Sequence, residues 1–293
     1  MGARDASTAK KWTIKTLLDW TTAYFAEKGL DTPRLDAEAL LAHALGVDRL
    51  YLYLNMDRPV TVAERAEYRA AVLRRARREP TSLITGTKEF WSFPFKVASG
   101  ALIPRPDTET LVECVVAHMA GLDAPRVLEL GVGVGAVSVS LLRENPQAVA
   151  VGTDISMTGL RLTRENAIRA GVSARLSLLA SDLFDALRPG LHFDVVCSNP
   201  PYIPTREIET LAPEIMWYEP RVALDGGEDG LQTIKRIARN ASAFLRPGGI
   251  IALEVGDGQA RGVADLLRGL GGCRETRAYK DLAGKDRVVV GRV

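Results

Sequence analysis

Four consecutive residues, Asn199-Pro200-Pro201-Tyr202, combine fixed acceptors, a stiff backbone and a flat apolar face. The paired prolines remove two backbone donors and stiffen the loop, so its carbonyls point outward as acceptors. Asn199 adds a side-chain oxygen, and Tyr202 offers a face on which a planar group can pack. Those parts suit one chemical problem. An amide or aryl NH2 is a poor nucleophile because its lone pair is delocalised. The Asn199 side-chain oxygen and the Pro200 carbonyl can each hold one N–H, which aims the nitrogen at an electrophile and helps it rehybridise. No strong base is needed at the outset, because the nitrogen becomes acidic once alkylated. In-line attack on a sulfonium methyl completes the reaction. A rigid turn accounts for the prolines but not for an asparagine at a strand end. Taken alone, the tetrapeptide does not separate a glutamine amide from an adenine or guanine amino group.

A second constellation lies upstream. Arg126-Val127-Leu128-Glu129-Leu130 reads as a strand that runs into Gly131-Val132-Gly133-Val134-Gly135-Ala136. Glycine there permits a sharp turn and close approach of a ligand, and the helix that follows presents free N–H groups. The string also fits a dinucleotide-binding loop, so it does not choose its ligand. Asp154 closes the next strand, where a carboxylate can accept from both ribose hydroxyls. Asp182, after the third strand, is placed to approach an adenine amino group, and Glu129 to shape the far side of the pocket.

These residues need a scaffold that brings strand ends together. Short strands at Arg126–Leu130, Val149–Asp154, Arg175–Leu179, Phe193–Ser198 and Gly249–Val255 alternate with helical stretches. That order predicts a mostly parallel sheet covered on both faces, an α/β fold. The last segment, Arg274 to Arg292, which ends in Arg287 to Gly291, is expected to supply an antiparallel closing pair. Before the sheet, residues 1–80 read as a small helical bundle. Apolar residues Leu17, Leu18, Thr21, Tyr24 and Phe25 form a helical stripe before Gly29. A second helix starts at Pro33 and stops at Gly46. A third begins with the capping-box pattern Thr61 to Glu64 and is expected to reach Arg78. Residues 81–106, with Phe90, Trp91, Phe93 and Phe95, read as a hairpin linker, and residues 107–293 as the catalytic domain.

The 293 residues suffice for two cores, and a net charge of +2 does not describe a protein that coats nucleic acid. Cys114, Cys197 and Cys273 are scattered, which argues against a disulfide framework or a zinc site and for a reducing cytoplasm. Residues 1–11 lack a signal-peptide core, and no apolar run is long enough for a membrane span. His43, His118 and His192 stand apart from any catalytic or ligand spacing. Arg74, Arg75, Arg77 and Arg78 read as charge complementing a helix C-terminus, with docking to an acidic partner as the sharper alternative.

Three further segments carry a resemblance: Lys88-Glu89-Phe90-Trp91-Ser92, Leu102-Ile103-Pro104-Arg105-Pro106-Asp107-Thr108-Glu109, and Tyr218 to Gly227. Together with Asn199 to Tyr202 they resemble the protein-(glutamine-N5) methyltransferases over nearly the whole chain. The resemblance implies a Rossmann-like class I methyltransferase domain: a mostly parallel seven-stranded sheet with an antiparallel closing strand, preceded by a helical substrate-recognition bundle and hairpin linker. It implies S-adenosyl-L-methionine as donor, S-adenosyl-L-homocysteine as product and no metal. The cofactor positions are Gly131, Val132, Gly133, Val134, Gly135, Asp154, Asp182, Leu183 and Asn199. Asn199, Pro200, Pro201 and Tyr202 form the substrate-glutamine site, with Asn199, Pro200 and Tyr202 as its catalytic members. The implied partners are peptide chain release factors carrying Gly-Gly-Gln, with no direct nucleic-acid contact and no membrane. A cytoplasmic monomer is the expectation. The family's glycine loop usually carries threonines where Val132 and Val134 stand, so hydroxyl contacts there are lost while backbone contacts survive. Arg78 to Ile84 lacks the glycine usual before Glu79-Pro80. Glutamine methylation of a ribosomal protein and amino methylation of adenine or guanine are the neighbouring alternatives. A nicotinamide-dependent dehydrogenase would use the glycine loop but leaves Asn199 to Tyr202 without a task.

Overall fold

The computed structural model describes residues 12–188, 190 and 192–293. Residues 1–11, in which no signal-peptide core was expected, lie outside the described residues. The chain divides into two compact units at Gly86/Thr87.

The first unit is helical. Helix α1 (Ile14–Glu27) opens with a reciprocal cap between Thr13 and Thr16 and buries Leu17, Leu18, Thr21 and Phe25. Tyr24 of the expected stripe is half-buried and stacks on Trp20. Helix α2 (Pro33–Leu45) begins at its proline and ends on Gly46 in the left-handed conformation. A short α3 (Arg49–Leu54), capped by Asp48, has too few residues to show periodicity. Helix α4 (Val62–Ala76) carries the expected Thr61/Glu64 capping box. It stops two residues before the expected Arg78. Arg78 takes a left-handed φ of 70°. Arg78 N–H donates to the Arg75 carbonyl and Glu79 N–H to the Arg74 carbonyl, the Schellman pattern with arginine where glycine is usual. Helix α5 (Thr81–Thr85) follows Pro80 and ends on left-handed Gly86. The segment expected to open a linker at 81 therefore begins as a helix.

Three of the four arginines in the run are engaged inside this unit. Arg74 pairs with Glu79, Arg75 with Asp36, and Arg78 donates to the Lys28 carbonyl. Asp36 is central: it accepts from Arg75 Nε at 3.0 Å and from Thr81 Oγ1 at 2.7 Å.

The second unit opens with the hairpin β1 (Thr87–Phe90) and β2 (Phe93–Lys96). Its two turn residues, Trp91 and Ser92, both have positive φ, as a two-residue hairpin turn demands. Bonds from Trp91 N–H to Glu109 and from its indole N–H to Glu144 hold that conformation without a glycine. A 3-10 turn, Pro106–Thr108, leads into α6 (Glu109–Met119). Then follow β3 (Arg126–Leu130), α7 (Ala136–Glu144), β4 (Val149–Asp154), α8 (Met157–Arg169), β5 (Leu176–Ala180) and β6 (Phe193–Ser198). After a short α9 (Pro213–Met216) come α10 (Gln232–Ala241), β7 (Leu245–Glu254), α11 (Ala260–Gly269), β8 (Glu275–Lys280) and β9 (Asp286–Arg292).

The sheet order is β5-β4-β3-β6-β7-β9-β8. The first five are parallel, and β9 and β8 close the sheet antiparallel. This is the mostly parallel α/β sheet expected from the alternation of elements, with the seven strands and antiparallel closing strand that the resemblance implied. Strand side chains divide between two cores as the pleat requires. Val127, Ala150, Val195 and Ala252 face α6, α7 and α8, while Leu128, Val196, Ile251 and Leu253 face α10 and α11. Among the described residues no helix is long and apolar enough to cross a membrane.

Arg75 and Asp36 side chains are 7% and 9% exposed. Removing one partner strands a buried charge, which costs roughly 3 kcal/mol or more. Asp36→Ala is therefore expected to lower the free energy of unfolding by about 3 kcal/mol in urea titration of the full chain. A loss of a few tenths would contradict the role given to this pair.

Candidate active site

Leu130 at the end of β3 pairs with Thr153 of β4 on one side and Ser198 of β6 on the other. Three loops therefore leave the sheet side by side at its carboxyl edge, where ligands of open α/β sheets bind. A cavity of about 390 Å³ opens there.

The glycine loop forms one wall. Gly131 and Val132 N–H groups both donate to the Thr153 carbonyl, at 2.8 and 2.9 Å. Gly133 N–H donates to Asp154 Oδ2 at 2.7 Å, and Thr163 Oγ1 donates to the Gly133 carbonyl at 2.8 Å. Gly131, Gly133 and Gly135 all have positive φ. At Gly135 a Cβ would meet Thr163 Cγ2 at 2.8 Å, so the close packing of loop on α8 also requires glycine. Val132 and Val134 are each 3% exposed. Both side chains are packed away from water.

Asp154 lines the cavity with each oxygen engaged once by backbone: Oδ2 by Gly133 and Oδ1 by Ser156 N–H at 2.8 Å. A carboxylate has further lone pairs, so it keeps acceptor capacity toward a ligand. Asp182 and Leu183 lie on the same cavity. Asp182 is held at 2.9 Å by Arg236 near the surface, and Leu183 has a strained φ of 51°. Glu129 also lines it, fully buried, accepting from both the backbone N–H and the hydroxyl of Ser138. Burial, with Asp154 close by, pushes its carboxyl up to about 8 despite the Ser138 bonds.

The third wall follows β6. Asn199 Nδ2 donates to Thr108 Oγ1 at 3.0 Å, so Oδ1 points away from Thr108. Asn199 and Pro201 line the cavity; Pro200, buried between them, and Tyr202 do not. Tyr202 donates its hydroxyl to Glu254 Oε1 at 3.3 Å, and its carbonyl accepts from Gln259 Nε2 at 2.9 Å. Burial raises the Tyr202 phenol. The flat face expected of Tyr202 carries no signal of this tether at its hydroxyl. Behind the loop, Ile203 N–H donates to the Leu224 carbonyl and Gly226 N–H to the Ile203 carbonyl. A Cβ at Gly226 would lie 2.6 Å from the Gly230 carbonyl oxygen, so that close approach needs glycine.

Sequence reasoning missed four members of this neighbourhood: Thr108, Arg105, Glu219 and Glu254. Arg105 lines the cavity and donates from Nη2 to buried Glu219 Oε1 at 2.6 Å. Burial still keeps the Glu219 carboxyl above its ordinary range. The partners are 114 positions apart, beyond any spacing rule, although both lie in segments that carried the resemblance. No group of His, Cys, Asp or Glu able to hold a metal occurs among the described residues.

Residues 16–86 match the family model described as "PrmC N-terminal domain", and residues 106–228 the "Methyltransferase small domain". A release factor glutamine methyltransferase of Geobacter sulfurreducens is 45% identical, aligned over 96% of this chain and 97% of its own. One from Rhodopirellula baltica is 38% identical over 97% and 98%. Among solved structures, the T. thermophilus 16S rRNA N2 G1207 methyltransferase in complex with AdoMet and guanosine shares the fold. Its TM-score is 0.50 at 20% identity, covering 70% of this chain and 49% of that one.

Because folding raises the Glu129 carboxyl, its charged form is penalised, and wild-type stability falls as pH climbs from the unfolded carboxyl value toward about 8. Glu129→Gln removes that penalty. The melting temperature of the variant relative to wild type is expected to be higher at pH 8 than at pH 5. The same difference at both pH values would overturn this account of Glu129.

Proposed function

The chain belongs to the release factor glutamine methyltransferase family, and on that premise we propose that it methylates the side-chain amide nitrogen, N5, of the glutamine in the Gly-Gly-Gln motif of peptide chain release factors, with S-adenosylmethionine as donor. What carries the reading is a glycine loop and Asn199 on one cavity, in a chain that aligns with such relatives along nearly its whole length.

The residues present fit the donor. Glycines with positive φ and open space at Gly131 and Gly133 allow close backbone approach. Acceptors sit at Asp154 and Asp182, and Leu183 adds an apolar surface. We assign the donor to Gly131, Val132, Gly133, Val134, Gly135, Asp154, Asp182, Leu183 and Asn199. When bound, S-adenosylmethionine supplies a sulfonium methyl as electrophile.

The chain's own work is orientation. Asn199 Oδ1 and the Pro200 carbonyl each hold one N–H of the substrate amide, with Pro201 and Tyr202 completing the glutamine site. The nitrogen is thereby fixed, and its lone pair is drawn out of conjugation as the N–C bond forms. The N-alkylated amide is acidic and sheds one N–H proton to water, which leaves a neutral N5-methylglutamine. Substrate recognition belongs to the helical bundle of residues 1–80, joined through residues 81–106 to the catalytic domain, 107–293. We place the protein in the cytoplasm as a monomer that needs neither metal nor direct contact with nucleic acid. Methylation of this glutamine tunes translation termination.

Labelled donor, purified release factor and a variant with Ala in place of the Gly-Gly-Gln glutamine test the reading. Label is expected on the wild-type factor alone; equal labelling of both, or rapid methylation of naked nucleic acid, would sink it. Asn199→Ala is expected to cost about 2 to 4 kcal/mol of transition-state stabilisation, read as kcat, with the circular-dichroism spectrum unchanged. Asp154→Ala acts earlier: its Kd for S-adenosylhomocysteine in calorimetry should rise at least about tenfold. Near-normal values in either variant contradict the assigned role.

A further inference from the structure

We propose that Glu254 is a positioning residue for methyl transfer, holding Tyr202 at the end of the Asn199-to-Tyr202 loop. This rests on the reading above, since it concerns how the Asn199-to-Tyr202 loop is kept in working geometry.

Glu254 ends β7, one position beyond Leu253, which pairs with Ser198 of β6. It therefore lies level with the start of the loop. Its side chain is completely buried. Oε1 accepts from the Tyr202 hydroxyl, and Oε2 makes no hydrogen bond among the described residues. The Thr108 hydroxyl, which accepts from Asn199 Nδ2, also stabilises the charged form of Glu254. The carboxyl group thus tethers the loop at its Tyr202 end.

A buried carboxylate kept only for structure is normally ion-paired. Arg287 of β9 is the cation on hand, but its guanidinium is engaged elsewhere. Nε binds Asp281 at 3.1 Å, Nη2 binds Asp107 at 3.1 Å, and Nη1 reaches the Val255 carbonyl at 3.3 Å. Burial pushes the Glu254 carboxyl up to about 7. Four groups face it: Tyr202 from the loop after β6, Asp107 and Thr108 from the turn before α6, and Arg287 from β9. Asp107 opposes ionisation, while Arg287, Thr108 and Tyr202 favour it. Above pH 7 the carboxylate receives the Tyr202 hydroxyl in a charge-assisted bond, the stronger form; below it the bond weakens and the loop loosens.

The test measures kcat and KM for release-factor methylation by the full chain from pH 6 to 8.5. Wild type, Glu254→Gln, Tyr202→Phe and the double variant are compared. In wild type, kcat is expected to rise with pH through about 7. Glu254→Gln keeps the shape and removes the charge. It should lower kcat at pH 8 by about tenfold to a hundredfold, the order of a displaced reacting group. KM for the donor should stay within about twofold, and the rise with pH should disappear. Adding Glu254→Gln to Tyr202→Phe should have little further effect. Glu129 also titrates near this range, so the comparison between variants is decisive, and not the wild-type profile alone. An unchanged pH limb in Glu254→Gln, or full additivity with Tyr202→Phe, overturns the proposal. If Glu254→Gln does not fold, Tyr202→Phe, which removes the same bond from the other side, must lose the limb; keeping it is equally fatal. Failure of wild type to label glutamine would instead reject the functional reading itself.

Discussion

The parallel pairing of β3 with β4 and β6 is the constraint on which the site depends. It sets Leu130 opposite Thr153 and Ser198, so three chain segments exit at one level. Cross-loop bonds lock that level. Ser198 Oγ donates to the Leu130 carbonyl at 2.7 Å across 68 positions of sequence. Asp154 receives Gly133, and the Thr153 carbonyl receives Gly131 and Val132. Slipping one strand by a single residue would turn Val127 and Leu128 to opposite cores as well as displace the loops. Burial on both faces of the sheet therefore protects the geometry at its edge.

Buried acids distinguish the scaffold from the site. In the helical unit Glu38, 1% exposed, is met by Arg34, Arg49 and Tyr53, and its carboxyl is lowered even though burial opposes this. Around the cavity the same residue type is treated in the opposite way. Glu129 has only Ser138, Glu254 has a phenol, and Glu219 has one arginine and an oxygen without a hydrogen bond. All three carboxyls are raised. A fold gains nothing by burying carboxyls with so few partners, so their gathering near the site reflects what the site does.

The elements legible from sequence are those whose signals are local. β4 and β6 match their expected bounds because buried parallel strands are apolar-rich runs bounded by turn residues. Pro33, Gly46 and the Thr61/Glu64 box marked helix ends by cap chemistry. Where local rules gave out, the reading failed. α3 and α5 are too short for a period, and α4 ends at a left-handed arginine that nothing nearby announces. At the site, the residues that could do chemistry were visible by type and place. Their supports were not: Thr108 reaches Asn199 across 91 positions and Glu254 reaches Tyr202 across 52. Composition marks the ring of Tyr202 but cannot show that its hydroxyl is committed to Glu254.

Those supports bear on why an asparagine works here. Its side chain ends in a donor and an acceptor of nearly equal size, and only the acceptor can receive a substrate N–H. A flipped Asn199 would present N–H to N–H. Thr108 accepts from Nδ2 and so favours the productive orientation. Threonine alone is a weak selector, because a hydroxyl can donate as readily as it accepts. Here Thr108 Oγ1 stands as the acceptor, and that settles the orientation. An amide gripped by its donor end thus leaves Oδ1 as the end available to substrate.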